Sequence, residues 1–374
     1  MPSVSRTVPV ISTFLCIAAA SCGILFLPQA AAEGAGTGLS FCAKVLIPSL
    51  FPFMVLSSFV VKSGLSSFLS RPLRPITQHL FHLPGCAGAT IVMALIGGYP
   101  SGARGIKALV EQGEITPKQG EQMLTFCVGA GPAFVISVVG TGLLGSAQAG
   151  IILYVSQIAA SVLVGILSGR LSRESHFSRP ASSQIPPVRF ADALVESTAD
   201  STSGMLNMCA FVILFSTLLS LLRESGFAQV ITQALLFLGV PSSAADSLIP
   251  ILLEVTNGCT LAAQNGASPA FLSFALGWAG ICVHFQIFTS LNGLPFSRIK
   301  FMGFRLLHGG ISALFSGLVL HLSPKTSEVF STVSQPVQPL MAADLTGSLM
   351  LLAVCAMFLL TLSAKDMDFT KKKC

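Results

Sequence analysis

A single carboxylate within an apolar stretch is the first candidate for chemistry. Glu254 is the only acidic residue between Asp246 and Glu328, and its neighbours in the chain are aliphatic. An ionisable group in such a setting is a functional hypothesis by default, because it could carry a proton or bind a cation. The alternative is a Glu at the membrane–water interface. Thr256 and Asn257 follow at an expected helix break, where their side-chain oxygens could bind an ion or cap the broken helix.

Two cations lie one helical turn apart after the run Gly98-Tyr99-Pro100-Ser101-Gly102. Arg104 and Lys107 could receive an anionic solute, and a guanidinium can hold a carboxylate with two parallel hydrogen bonds. The alternative is an anchor for the cytoplasmic side of a membrane, where Lys and Arg accumulate.

Enzymatic motifs are missing from the sequence. Ser101 and His284 could form a nucleophile and base, but the G-x-S-x-G elbow and an orienting acid are absent. The chain has no HExxH, no Walker A and no paired catalytic carboxylates. Its ten cysteines include no CxxC pair. We therefore expect no enzyme, no metal and no cofactor, and we expect His284 and Gln286 to bond to neighbours or to line a cavity.

The composition is that of a membrane protein. Of the 374 residues, 52% are hydrophobic and 10% are charged, whereas soluble domains carry about 25% charged residues. The mean hydropathy is +0.78. The net charge of +6 does not indicate nucleic-acid binding, since the basic residues are spread thinly at the ends of apolar runs. We predict an all-α, polytopic protein of the cell membrane, with the lipid bilayer as its surroundings.

Apolar runs of about 20 residues predict eight spanning helices. They are 8–28, 39–62, 123–145, 149–170, 204–223, 270–290, 303–322 and 341–363. Two shorter apolar stretches, 86–98 and 246–262, run into Gly-, Pro- or Asn-rich breakers and indicate re-entrant hairpins. The first run has a rival interpretation as a signal peptide ending at Ala30-Ala31-Ala32.

The distribution of Lys and Arg orients these spans. Basic residues cluster in 63–122, after residue 170, near Arg298, Lys300 and Arg305, and in the tail, whereas 224–269 contains none. By the positive-inside rule the basic segments and the C-terminus are cytoplasmic.

The two halves of the chain align with each other. Ser63-Gly64-Leu65 corresponds to Ser225-Gly226-Phe227, and the breaker starting at Gly97 corresponds to the one starting at Glu254. Helix breaks are predicted at 97–103, 129–132 and 254–260, with a weaker one at 277–280. The first copy would enter the membrane from outside and the second from inside, so the repeats are inverted, as in secondary transporters with a site at the midplane.

Several motifs, in order, resemble a known family. The runs Leu50–Phe53, Gly98–Arg104 and Phe126–Phe134 resemble the YlbJ-type sporulation integral membrane proteins. In the second half Leu253–Cys259, Val283–Gln286 and Leu306–Gly309 are similar to the wider nucleoside-recognition or "gate" domain group, which is related to concentrative nucleoside transporters.

This resemblance covers about residues 40–320 and implies a role in sporulation, in an endospore-forming bacterium. It implies movement of a small solute, such as the spore anion dipicolinate. One departure concerns the third break: family members carry polar Asn or Ser just before its Gly-Pro, and Val128, Gly129 and Ala130 stand there instead. Side-chain contacts to solute at that position are therefore in doubt.

These observations define the expected organisation and site. The segments are an N-terminal helix (1–38), repeat one (39–170), a cytoplasmic linker (171–203), repeat two (204–322) and a last part with an external loop, a terminal helix and a basic tail (323–374). Glu254 is the predicted coupling residue. The predicted solute contacts are Gly98, Tyr99, Pro100, Ser101, Gly102, Arg104, Lys107, Gly131, Pro132, Thr256, Asn257, Gly258, His284 and Gln286.

The predicted function is transport of a small solute, with an organic anion as the favoured class. Two alternatives stay open: a non-transporting scaffold in a sporulation complex, and a nucleoside transporter. Expected partners are the solute and, beyond the bilayer, a second copy of the chain or other sporulation membrane proteins.

Overall fold

The computed structural model describes residues 17–172 and 189–322, which lie in the first of two compact units of the chain, Met1–Gln335. The described residues form fifteen helices and no strand, which confirms the all-α prediction. The helices are α1 Ile17–Phe26, α2 Pro28–Lys62, α3 Leu65–Phe81, α4 Ala87–Gly97, α5 Tyr99–Glu111, α6 Pro117–Leu124, α7 Ala133–Leu143, α8 Ala147–Leu171, α9 Phe190–Glu224, α10 Phe227–Phe237, α11 Ser242–Leu253, α12 Val255–Gln264, α13 Pro269–Trp278, α14 Gly280–Ser290 and α15 Arg298–Leu322.

Five stretches among these residues are long and apolar enough to cross a bilayer. They are α2, α8, α9, α13 with α14 (Pro269–Ser290), and α15. The shorter apolar helices α4, α7 and α11 lie between them, so the fold is that of a multi-pass membrane protein with interrupted helices.

The same order of elements occurs twice. A 35-residue helix (α2, α9) is followed, two residues after its end, by a glycine with φ of 77°, Gly64 or Gly226. A short helix follows, then two pairs of helices separated by breaks, and then a 25-residue helix (α8, α15). The helix caps correspond as well. Thr116 precedes Pro117 at the start of α6, and Ser268 precedes Pro269 at the start of α13. The side chain of each accepts a backbone N–H of the helix that follows it.

The two long helices meet along a seam of small residues. A Cβ on Gly34 would lie 2.7 Å from the Thr217 Cα, and one on Gly38 would lie 2.8 Å from the Ile213 Cα. Only glycine allows the two backbones to approach so closely, as in small-xxx-small packing of membrane helices. The seam joins the first helix of one half to the first helix of the other.

The predicted spans differ from the helices at several ends. The span 39–62 begins earlier, at Pro28, because Gly34 and Gly38 mark close packing against α9 and do not end the helix. The span 204–223 also begins earlier, at Phe190, so the last part of the predicted linker is helical. The polar residues at the start of α9 lower the hydropathy of this stretch, which is why it was not predicted as part of the span. Its acidic residues, Asp192, Glu196 and Asp200, are exposed.

Two other predicted spans are not continuous helices. The span 123–145 is interrupted between Leu124 and Ala133, and 270–290 is interrupted at Ala279, which has φ of 74°. The stretch 246–262 consists of two helices that meet at Glu254. Of the first span, 8–28, the described part is α1, which ends at Phe26, before Pro28. The predicted span 341–363 lies outside the described residues.

Candidate functional site

Three helix breaks, one from each of three broken pairs, meet at a small central chamber. Gly98 separates α4 from α5, Gly131 lies in the gap between α6 and α7, and Glu254 separates α11 from α12. All three line the chamber, together with Tyr99, Pro100, Thr256 and Gln286. Seven residues predicted from sequence, six solute contacts and the coupling residue, are therefore brought together at one place. Its remaining walls are mainly apolar: Leu46, Leu50 and Met54 of α2, Met208 and Val212 of α9, and Phe134 and Val283.

Two of the breaks cross backbone to backbone. Gly98 has φ of 77°, a conformation that favours glycine. A Cβ on Gly98 would lie 3.3 Å from the Gly131 nitrogen, and a Cβ on Gly131 would lie 3.0 Å from the Ile96 carbonyl oxygen. Side chains at either position would push the broken segments apart. The departure at Val128, Gly129 and Ala130 thus leaves the backbone crossing intact.

Glu254 is buried at the start of α12, with 1% of its surface exposed. One carboxylate oxygen accepts the Thr256 N–H at 2.9 Å and the other accepts the Asn257 N–H at 2.7 Å. The carboxylate therefore caps a helix N-terminus, where free N–H groups and the helix dipole stabilise negative charge. The break lies at Glu254, the first residue of the predicted break 254–260, and the rest of that range is helical, including Asn257 and Gly258.

Asn257 and Gly258 have packing partners instead of a place in the chamber lining. The Asn257 side-chain amide donates to the Ser216 hydroxyl of α9 at 2.8 Å. A Cβ on Gly258 would lie 2.6 Å from the Ile251 backbone, so glycine lets α12 fold back on α11. Asn257 therefore fixes α12 against α9, and Gly258 allows α12 to pack closely on α11.

A wider vestibule with charged walls lies on the other side of Met54. It is lined by Ser57, Lys62, Ser101, Arg104, Glu196 and Asp200, among others, and has a free volume of about 360 Å³. Lys62 pairs with Glu196 at 3.3 Å and with Asp200 at 2.5 Å. The Arg104 guanidinium donates to the Asp200 backbone carbonyl at 3.1 Å. Arg104 and Ser101 therefore face the vestibule and not the chamber.

Met54 separates the chamber from the vestibule. Its side chain is 1% exposed and lines both spaces. The chamber has a free volume of about 40 Å³, whereas pockets for organic ligands usually hold about 300 Å³ or more. The chamber is therefore closed to an organic solute in this conformation, and displacement of the flexible Met54 side chain would join it to the vestibule.

Tyr99 connects the chamber to the second half of the chain. Its ring lines the chamber, and its hydroxyl donates to the Leu276 carbonyl of α13 at 2.6 Å. This bond links the break after α4 to the helix preceding the break at Ala279.

The remaining predicted residues have local partners. The Lys107 ammonium donates to the Asn292 carbonyl at 3.0 Å, and His284 Nε2 lies 2.9 Å from the Trp278 carbonyl oxygen. Gln286 lines the chamber and also donates to the Cys282 sulfur at 3.3 Å. Pro132 starts α7 next to the chamber.

Ser101 and His284 form no nucleophile–base pair. The Ser101 hydroxyl donates to the Gly97 carbonyl at 3.0 Å, whereas His284 is bonded to Trp278.

Gly102 packs even more tightly than the other glycines of the break, since a Cβ there would lie 1.8 Å from the Cys127 carbonyl oxygen.

Sequence reasoning missed Arg305. The sequence groups Arg305 with Arg298 and Lys300 in one basic cluster, but Arg305 is completely buried on α15, whereas Arg298 and Lys300 are exposed. The available signal was its position inside the predicted span 303–322, where an ionisable residue is a functional hypothesis. Met54 and Met208 were missed because an apolar wall residue looks the same in sequence as a core residue.

Comparison with known proteins gives one significant curated relative. Over 336 residues the chain is 28% identical to the sporulation integral membrane protein YlbJ of Bacillus subtilis (strain 168), covering 83% of this chain and 82% of that protein. No family model matches the chain. No solved structure matches it significantly.

Proposed function

We propose that this chain, an integral membrane protein of the YlbJ type, moves a small organic anion across the membrane by alternating access. The observation that carries the proposal is the meeting of three helix breaks at a closed chamber that contains a carboxylate, a threonine and a glutamine. Broken helices at a central polar site are the device by which secondary transporters bind their solutes. A scaffold would not need polar side chains there.

The repeated order of elements supports the mechanism. Two halves of the same construction, inserted in opposite directions, give two conformations of similar energy that open to opposite sides. In the present conformation the larger space is the vestibule, and Met54 closes the chamber towards it. Rocking of one half against the other would open the chamber alternately to each side.

One cation of the vestibule, Arg104, supports an anion as the solute. Arg104 lies on the route to the chamber and its guanidinium makes a hydrogen bond only to a neutral backbone carbonyl among the described residues. It could therefore attract a carboxylate before the solute reaches the chamber. Dipicolinate is the anion that the family resemblance implies.

The central test is uptake into proteoliposomes. Purified full-length protein is expected to take up dipicolinate or another dicarboxylate faster than empty liposomes do. Nucleosides are measured in the same way, and uptake of nucleosides alone would favour the nucleoside-transporter alternative. Uptake of none of these solutes, by protein shown to be folded, would favour the scaffold.

Inverted insertion predicts that equivalent loops lie on opposite sides of the membrane. Gln112 follows α5 and Gln264 ends α12, at equivalent places in the two halves, and both are exposed. Cysteines introduced singly at the two positions should react with a membrane-impermeant maleimide from opposite sides, Gln112→Cys from the cytoplasm and Gln264→Cys from outside. Labelling is measured above that of the parent protein, whose own cysteines are the background. Reaction of both from the same side would contradict the inverted repeat.

Arg104→Gln should slow anion transport without unfolding the protein. The change removes one of the two positive charges of the vestibule, so we expect an increase of at least about tenfold in the KM for the anion, since a charge-assisted hydrogen bond contributes roughly 1.5–3 kcal/mol. Arg104→Lys should restore part of this, because it keeps the charge and loses the planar fork. Lys300→Gln, a neutralised cation that lies outside the vestibule, is the control. An unchanged KM in Arg104→Gln would contradict anion binding by Arg104 and would favour the alternative that it is a membrane anchor.

A further inference from the structure

One buried cation, Arg305, has no role in the mechanism described so far. Arg305 lies on α15, which packs against α13 and α8, and none of its surface is exposed. Phe301 and His308, one helical turn to either side, are buried as well. The guanidinium is therefore enclosed within the helix bundle and does not reach the water at either side.

The guanidinium has no hydrogen-bond acceptor within residues 17–172 and 189–322. Its Nε, Nη1 and Nη2 atoms are all buried and unpartnered. A buried charge without a partner strongly destabilises a protein, and arginine cannot lose its proton to escape this cost. The position therefore calls for an acceptor that is not supplied by these parts of the chain.

Among the described residues, no acid forms a hydrogen bond or an ion pair with Arg305. It lies within electrostatic range of Tyr99, Cys127, His284 and His308. Tyr99 is also within range of Glu254, but the Glu254 carboxylate is already bonded to two backbone N–H groups of α12. Glu254 therefore does not serve as the partner of Arg305.

Tyr99 connects the surroundings of Arg305 to the chamber. It lines the chamber and also lies within electrostatic range of the Arg305 guanidinium. The ring is held in place by the hydrogen bond from its hydroxyl to Leu276.

We propose that Arg305 is the residue that binds the carboxylate of the transported anion, and that the Tyr99 side chain moves aside to admit it. The proposal deepens the proposed function and rests on it: Arg104 attracts the anion in the vestibule and Arg305 holds it in the centre. A planar guanidinium with free N–H groups matches a carboxylate with two parallel hydrogen bonds. The ligand class is therefore a carboxylate anion.

The test is thermal unfolding of the purified full-length protein in detergent, with and without dipicolinate, succinate or their uncharged diamides. A bound ligand stabilises the folded protein in proportion to the logarithm of its excess over Kd. At least one of the two anions should raise the Tm of the wild-type protein, and its diamide should not. Arg305→Met should abolish the rise, whereas Arg298→Gln, a neutralised arginine exposed on the same helix, should keep it.

The same experiment distinguishes ligand binding from a structural role. Without ligand, Arg305→Met should be as stable as the wild type or more stable, because an unpaired buried charge has been removed. Arg305→Lys should fold and show a weaker rise with the anion. A fully retained rise in Arg305→Met, no rise in the wild type with either anion, or failure of Arg305→Met to fold while Arg305→Lys folds would overturn the proposal.

Failure of this inference and failure of the proposed function would look different. Transport of an anion by Arg305→Met at the wild-type rate would overturn the role of Arg305 and leave transport standing. An anion-dependent rise in Tm that needs Arg305, in a protein that transports none of the tested solutes, would support the binding site and overturn transport.

Discussion

Glu254→Gln is expected to abolish accumulation of solute against a gradient while exchange of solute across the membrane continues. The substitution keeps the shape of the side chain and removes the charge at the start of α12. A buried carboxylate beside a closed chamber could carry a proton or bind a cation during each transport cycle, and an amide can do neither. We therefore propose that Glu254 couples transport to an ion gradient.

The fold should survive this change. A glutamine oxygen can still accept one of the two N–H groups that Glu254 accepts now. Loss of the other bond costs about 1–2 kcal/mol, and removal of a buried charge offsets part of that cost. The Tm is therefore expected to change by only a few degrees.

The measurement compares uptake with and without an imposed gradient of protons or sodium. Glu121→Gln is a matched control, because the Glu121 carboxylate also accepts a backbone N–H, from Ser297 at 2.9 Å, and lies outside the chamber. The control should accumulate solute like the wild type. Gradient-driven accumulation by Glu254→Gln would make Glu254 a structural helix cap and would remove it from the transport mechanism.

Gly102→Ala is expected to prevent stable folding. An added Cβ would lie 1.8 Å from the carbonyl oxygen of Cys127 and 3.1 Å from the Cβ of Ala94. Because the nearest atom belongs to the backbone, no side-chain rotation can relieve the overlap, and α5 would have to move away from the segment before Gly131. We expect a loss of at least about 3 kcal/mol of stability.

This loss can be measured as the yield of monodisperse protein and as its Tm in detergent. Gly129→Ala is the control: Gly129 lies in the same segment, but a Cβ there would have no atom within 4 Å apart from its own chain neighbours. The control should fold like the wild type. If Gly102→Ala folds equally well, α5 and the Cys127 carbonyl are not in contact, and the crossing of the two breaks is not as described.

Glycine made two of the three breaks predictable, whereas the third was predicted only as the range 254–260. Gly98 and Gly131 lie in Gly- and Pro-rich runs, which break helices because of their backbone preferences. The third break lies at Glu254, three residues before Asn257 and four before Gly258. No breaking residue marks it, because a carboxylate can end one helix and cap the next through tertiary burial, which is not visible in a local pattern.

Charge patterns were informative about the membrane and misleading about burial. The scarcity of charged residues correctly indicated a polytopic protein. Arg305, by contrast, stands near Arg298 and Lys300 in the sequence but faces the interior, because its direction depends on the rotation of α15 against α13. Arg104 and Ser101 were predicted with the chamber residues and lie in the vestibule, since α5 leads away from the break at Gly98.

The glycine seam between α2 and α9 has a consequence for how the protein could be assembled. Each half begins with its own long helix and keeps its own broken pairs, and the seam joins the halves through backbones that touch at Gly34 and Gly38. Bonds such as that from Gln157 of α8 to the Ser273 carbonyl at 2.7 Å join them a second time. The two halves therefore carry surfaces by which they can recognise each other. Two separate polypeptides, divided between residues 172 and 189 and made in the same membrane, should find each other and restore the complete molecule.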